Sequence, residues 1–487
     1  MASLVLIAIV GIIFLYRIYK YCFYRPENWP PGPPRIPFVG SYFMLFLLDF
    51  KNLHIAVQKL CKYYKSDVVG FYVGNTFTIA TNSQETVREV LFNPDFDGRN
   101  DGLLVRLRNE NFNRNGIFFI DNPYWQDQRR FTLRNLRDFG FGRRFEEYEI
   151  EVKNEIENFI NLIKEGPKYS HEMNIMKSDG SILLPKALIA CMSNCFLQIV
   201  ANVRIQRSEQ EKLFKAGFGS FEFQFYSDEY GKSFGIFPWL RYLLPNLSRY
   251  TNLRNGSMKM FNFMKEFVDK QIATYEEGHI RSFMDTYIKE INEADGKDRG
   301  YLYDQMVMIC TDFLFPSLSA IEIQVSFLLK HLLYHNDIMI KIQEEIDDVV
   351  GQGRLPSLDD RINLHYTEAT LRESGYDIPK DSSILPSLFS LHTSKQVWKD
   401  PENFRPERFL NLKGQLCLKY DKSLPFGGGR RLCAGETFAR NTMFLLFASL
   451  LQNFNVKPAN GVLPKLDDDD CGLVRIPKDF WIKLESR

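Results

Sequence analysis

A large, mostly α-helical domain with a minor β-sheet portion, tethered by an N-terminal membrane anchor, is the architecture this sequence predicts. Three observations predict it. Residues 1–16 carry no charged side chain, and Arg17, Lys20 and Arg25 follow at once. Amphipathic runs at helical spacing dominate residues 145–350. Two short strand-like runs flank Gly74-Asn75, as in a hairpin. The 487 residues, 45% hydrophobic and 25% charged, are globular and too many for one simple core, though one large helical domain accommodates them. A formal net charge of +1 gives no whole-chain attraction to nucleic acid.

Taken in order, residues 1–24 read as the anchor. The uncharged run is marginal for a full span, and snorkelling Arg17 and Lys20, with Tyr19, Tyr21 and Phe23, extends it. A cleaved signal peptide is the competing reading, but it wants positive charge before the apolar run and small residues after it. Here the charge lies after, and bulky aromatics occupy the exit. Positive-inside logic then predicts a cytosol-facing domain. Residues 25–44 are a Pro-rich hinge, in which Trp29-Pro30-Pro31-Gly32-Pro33-Pro34 acts as a stiff spacer or, alternatively, as a ligand for a signalling domain.

The domain fills 45–487. Helices are expected over Leu45–Tyr64 and Ser83–Phe92, from near Asn122-Pro123 through Arg129, and over roughly 145–165, 185–203, 207–217, 255–278, 281–292, 302–335 and 335–350. Strands are expected over Val68–Val73 and Phe77–Thr81, and Pro316 should kink the long helix. The acidic run Asp467–Asp470 reads as a solvated turn. Eight scattered cysteines make no C-x-x-C pair and no disulfide framework, which suits a reducing compartment. Seven histidines show no metal-ligand spacing.

The most informative stretch is Pro425-Phe426-Gly427-Gly428-Gly429-Arg430-Arg431-Leu432-Cys433-Ala434-Gly435. It sets one cysteine in a glycine-rich turn ahead of an apolar helix over Phe438–Leu451. A thiolate pushes electron density onto a haem iron, and backbone N–H groups with a helix N-terminus keep it deprotonated. A phosphate nest or a helix-entry loop with an incidental cysteine are the alternatives, but no Gly-Lys-Ser/Thr follows. The spacing Phe426-x-x-Gly429-x-Arg431-x-Cys433-x-Gly435 resembles the haem-binding loop of the cytochrome P-450 family. The runs FTLRNLRDFGFG and LPFGGGRRLCAGETFARNTMF resemble arthropod microsomal members, and the resemblance covers nearly the whole chain.

The resemblance implies a cytochrome P-450-like fold and a haem-thiolate monooxygenase in the endoplasmic reticulum membrane. Its cofactor would be haem b, with Cys433 as the axial ligand to iron and Phe426, Gly429 and Gly435 in the binding loop. One atom of O2 would enter an apolar small molecule, with electrons passing from NADPH through a flavoprotein reductase. Trp125-x-x-x-Arg129 resembles the helix that holds a haem propionate, by the guanidinium and the indole N–H, although a packed surface pair looks the same. Arg431 should reach the other propionate. The six arginines from Arg129 to Arg144 fit a reductase-docking face better than nucleic acid, or a merely solvated surface. The aromatic cluster from Phe214 to Trp239 suits either a roof over an apolar pocket or plain core packing.

Two departures from the family pattern stand out. Pro406-Glu407-Arg408-Phe409 resembles a stretch whose arginine locks onto a Glu and an Arg of an upstream helix. Here Glu373 fits that Glu, but Tyr376 stands at the Arg position. The chain looks shortened between Ser374 and Gly375, losing a strand that walls the pocket and a charge partner for Glu373 and Arg408. Buried charges left alone cost about 3–5 kcal/mol. In the long helix, Ser319 replaces the usual acid and Ala320 the usual alcohol. Ser319 and Glu322 share a face and form a candidate proton relay, against a back-bonded Ser and an outward Glu. A haem-binding but catalytically defective variant, or a chain that holds no haem, are the functional alternatives.

Overall fold

The computed structural model describes residues 2–49, 52–74, 76–99, 101–227, 239–373, 384–472 and 474–487. Helix dominates, as the periodicity predicts. The anchor forms one helix, Ala2–Phe23, with most side chains from Leu4 onward exposed, and Leu4–Phe23 is long and apolar enough to cross a membrane. The hinge is no free spacer. It lies along strand β1 (Val68–Val73), with the Gly70 N–H donating to Pro31 O at 2.9 Å and the Ser41 N–H to Tyr72 O at 2.7 Å. A Cβ on Gly32 would stand 1.8 Å from Gly70 O, so only glycine allows that approach.

Strand β2 (Thr76–Thr81) pairs antiparallel with β1, with Val73 opposite Thr76, as expected of the hairpin. Ser83 caps the helix Gln84–Phe92 with Thr86 returning the bond, a capping box. The helix expected over Leu45–Tyr64 is two, Tyr42–Leu48 and Leu53–Tyr64. Strand β3 (Ser181–Leu184) joins a second sheet further on. Strand β4 (Ile384–Pro386) runs parallel to β2. Strand β5 (Phe454–Pro458), β6 (Asp469–Cys471), β7 (Arg475–Pro477) and β8 (Phe480–Ser486) are late elements. They make a β3-β8-β5 sheet and a β6-β7 hairpin.

The core is built around the helices Ile189–Ala201, Tyr303–Ser317, Ala320–Leu332 and Glu436–Asn453, most residues of which are buried. The long apolar helix breaks more sharply than a kink. Pro316 has no N–H to donate, Ser319 leaves helical geometry at φ −156°, and a new helix starts at Ala320. The expected solvated turn over Asp467–Asp470 is also corrected at one position. Asp469 has a 3% exposed side chain and pairs with Lys330 at 3.2 Å and with Arg475 at 2.7 Å. The expected features at Ser374, Gly375 and Tyr376 lie outside the described residues.

Candidate cofactor and substrate site

The loop after Pro425 folds back on itself through the Cys433 N–H, which donates to Phe426 O at 2.9 Å. Gly427 and Gly429 take φ of +74° and +65°, which side-chain-bearing residues rarely adopt. Gly429 also presses on the preceding helix, where a Cβ would stand 2.1 Å from Leu91 O. Gly435 caps the helix Glu436–Asn453, so the positive end of that helix lies two residues from the sulfur. Cys433 is exposed and opens into a cavity of about 580 Å3.

Phe426, Arg431, Cys433 and Gly435 line this cavity together with Arg129 and Ser319. Arg129 donates to Leu432 O at 2.6 Å, one residue from the cysteine. Arg431 donates to Asp97 O at 2.8 Å and Ile120 O at 3.0 Å, with its guanidinium 3.4 Å from the centre of the Trp125 ring. Burial pulls Arg431 down to about 9, and Arg99 and Arg129 add repulsion. Burial lowers Arg129 as well, while the Cys433 sulfur acts the other way. Cations pushed toward neutrality in a half-buried cleft call for anions. A haem presents two carboxylates and an iron that takes a thiolate, and this cavity offers two half-buried arginines and one cysteine in a glycine turn, so the donor set fits that group.

Two expected contributors act differently. The Trp125 indole N–H donates to Ile117 O at 2.9 Å, so the side chain supports Arg431 with its ring face instead of offering a donor to the cavity. Gly429 contributes by its turn and its packing on Leu91 and does not line the cavity.

Above the cysteine the walls are apolar. Phe141 packs on Phe438 and Phe313 at 5.0 Å each, and Phe118 on Phe313 at 5.1 Å. Of the aromatic cluster, Phe214, Phe221 and Phe223 are core residues that do not line the cavity, and residues 228–238 lie outside the described residues.

Ser319 and Glu322 do not meet as a relay. The Ser319 hydroxyl donates back to Phe315 O at 3.0 Å and accepts from Ser220 at 3.2 Å. Glu322 is not outward either. It is fully buried toward Cys191, away from the cavity lining, and its carboxylate oxygens have no hydrogen-bond partner among the described residues. Burial pushes its carboxyl well above the usual range.

The same cavity also reaches Glu373 and Arg408. The shortening was expected to remove one charge partner from this pair. They pair with each other at 2.7 Å, and Asp400 adds a second carboxylate to Arg408 at 3.1 Å. Three carbonyls, of Trp398, Asp400 and Asn403, take further Arg408 bonds. Burial still pushes Glu373 up to about 7, against the Arg405 backbone N–H and Arg408. Arg372 turns to Asp421 at 2.5 Å, and Glu368 to Arg361 at 2.6 Å.

Sequence reasoning missed two buried charge clusters. Asp312, in the long apolar helix, pairs with Arg108 and accepts the N–H groups of Ile117 at 2.6 Å and Phe118 at 3.0 Å. It thereby fixes the loop that walls the cavity. The Lys330, Asp469 and Arg475 cluster ties the β6-β7 hairpin, which brings Val474 to the lining, to the helix Ala320–Leu332. A lone Asp or Lys within a Leu-rich helix was the available signal, since buried charges need partners.

A family model described as Cytochrome P450 matches residues 30–374 and 374–484, so the match is interrupted at the residue where the sequence looks shortened. Farnesoate epoxidase of Bombyx mori is 29% identical over 99% of each chain, in an alignment of 519 residues, longer than this chain. The relative therefore carries residues that this chain lacks. Cytochrome P450 2E1 of Oryctolagus cuniculus is 30% identical over 93% of this chain and 91% of its own. Probable cytochrome P450 305a1 of Drosophila melanogaster is 26% identical over 95% of each.

Proposed function

The chain belongs to the cytochrome P450 family, and we propose that it is a membrane-anchored haem-thiolate monooxygenase acting on an apolar small molecule, with electrons from a flavoprotein reductase. The observation that carries this reading is Cys433, held in its glycine turn at the floor of an aromatic-walled cavity with Arg129 and Arg431 at the rim. Bound haem would supply O2 activation and insertion of one oxygen atom. The chain's own residues supply the rest. Cys433 would be the ligand, and the Gly435 helix end with the loop N–H groups would stabilise its negative charge. Arg129 and Arg431 would hold the two propionates, each regaining the anion that its burial demands. The phenylalanines would exclude water and orient the substrate by burial of its apolar surface.

For protons, Ser319 is the polar side chain in the acid's position, with Ser220 behind it. Glu322, facing Cys191, would serve as a buried structural carboxyl rather than as a donor to the cavity. Of the six arginines proposed for reductase docking, Arg129 belongs to the cavity, and Arg144 is tied to Asp359 and Glu149. Arg130, Arg134 and Arg137 make no ion pair among the described residues and would carry the steering charge. Farnesoate in the name of the silkworm relative is consistent with an isoprenoid lipid as substrate.

A second reading has its own support. Because the family match is interrupted at residue 374 and the same cavity reaches Glu373 and Arg408, a poorly haem-retaining, catalytically impaired form is also proposed. The carbon monoxide difference spectrum of the reduced, membrane-expressed chain tests the main reading. A thiolate-type band is expected. It should vanish in Cys433→Ala and persist in Cys417→Ala, whose cysteine lies outside the spaced loop. A thiolate band retained by Cys433→Ala would overturn the ligand assignment.

A further inference from the structure

We propose that the pocket between the end of the anchor helix and the domain seats the headgroup of one anionic phospholipid. The inference rests on the reading of Ala2–Phe23 as a membrane anchor. The pocket encloses about 730 Å3, and its lining among the described residues includes Arg17, Lys20, Arg25 and Arg35 but no carboxylate.

Its cations come from two sources that meet there. Arg17 and Lys20, three residues apart, share a face of the anchor helix. They are the first charges after the apolar run, so they stand at the depth where a span leaves hydrocarbon for the phosphate layer. Arg25 and Arg35 belong to the docked hinge. Both terminal nitrogens of Arg25 donate to Gly70 O at 3.1 Å. The Arg35 guanidinium lies between the rings of Tyr21 and Tyr72, at 4.3 and 4.2 Å. The cationic floor is therefore fixed before any ligand arrives.

Four cations line one concave pocket, and a phosphodiester with a further negative charge complements them. A choline headgroup brings its own ammonium, which this pocket disfavours. Tyrosines at the rim suit the same layer of a bilayer. Phosphatidylserine and phosphatidic acid therefore fit, and phosphatidylcholine does not. Because Arg25 and Arg35 also hold the hinge to β1, an occupied pocket would fix the tilt of the domain on the membrane.

The test uses the full chain in phosphatidylcholine nanodiscs. Binding of a fluorescent phosphatidylserine is measured against a fluorescent phosphatidylcholine, for the native chain and for Arg17→Gln/Lys20→Gln. Neither replaced side chain contacts the domain by hydrogen bond or ion pair among the described residues, so folding is not at stake. The expected result is a preference of tenfold or more for phosphatidylserine, falling by about tenfold in the double variant. Equal binding of the two lipids, or an undiminished preference in the variant, overturns the proposal. Competition by soluble glycerophosphoserine as strong as that of the lipid overturns the lipid assignment in favour of a soluble phosphate ligand. Flotation with neutral vesicles separates the premise. A chain that does not float contradicts the anchor itself, whereas one that floats without lipid preference contradicts the headgroup site alone.

Discussion

At the Cys433 end of the cavity, Arg129 and Arg431 spend their hydrogen bonds on backbone carbonyls and wait for anions. At the Glu373 end, Arg408 is already saturated by Glu373, Asp400 and three carbonyls. The first end is arranged for a ligand the protein does not supply. The second has closed on itself with the charges that were nearest. Asp400, 31% exposed, gives Arg408 a second carboxylate. A chain can satisfy a buried charge by regrouping its neighbours, but regrouping does not rebuild a wall, and the cavity runs through to both ends.

The largest effect should follow from breaking the regrouped end. Arg408→Ala leaves Glu373, 7% exposed, without its cation, and should cost about 3–5 kcal/mol of stability. Chemical denaturation reads this directly, and a loss below 1 kcal/mol would mean that the Arg408 ion pair does not hold this corner.

Next come the arginines of the waiting end. Arg129→Ala and Arg431→Ala should each weaken haem retention by roughly 1.5–3 kcal/mol, the worth of one charge-assisted contact, while the spectrum of the retained haem keeps its thiolate character. Unchanged occupancy at limiting haem in both variants would remove the propionate assignment.

A smaller effect separates the ends by pH. Glu373 has a folded pKa near 7, raised by burial above its unfolded value. Between about pH 4.5 and 7 the folded state therefore binds more protons than the unfolded one, and stability falls as pH rises through that window. Glu322 adds a slope of the same sign. Glu373→Gln should flatten its own share, seen as a shallower decline of Tm across that window. An identical decline in the variant would show that Glu373 does not titrate there.

What was legible in the sequence followed the same division. The cysteine loop is local, with five positions in ten residues, and the structure folds it around the hydrogen bond that the spacing requires. Helix after helix was readable because burial imprints a period on each segment. Partners far apart in sequence were not. Nothing near Asp312 names Arg108, and nothing near Asp469 names Lys330, because their pairing is decided by tertiary packing. The Asp467–Asp470 run misled for this reason. The Pro316 break was readable in place but not in degree, since a proline announces a lost hydrogen bond and the surroundings decide whether the helix bends or restarts.

A competent Cys433 end limited by the junction after Glu373 is the arrangement proposed for this protein. It is tested most directly by inserting, between Ser374 and Gly375, the corresponding segment of a close relative and measuring haem content per chain beside the unmodified protein. Thiolate-ligated haem is expected in both, with markedly higher content and faster turnover in the inserted chain. Equal haem content and equal turnover would contradict it, and would make the shortening harmless.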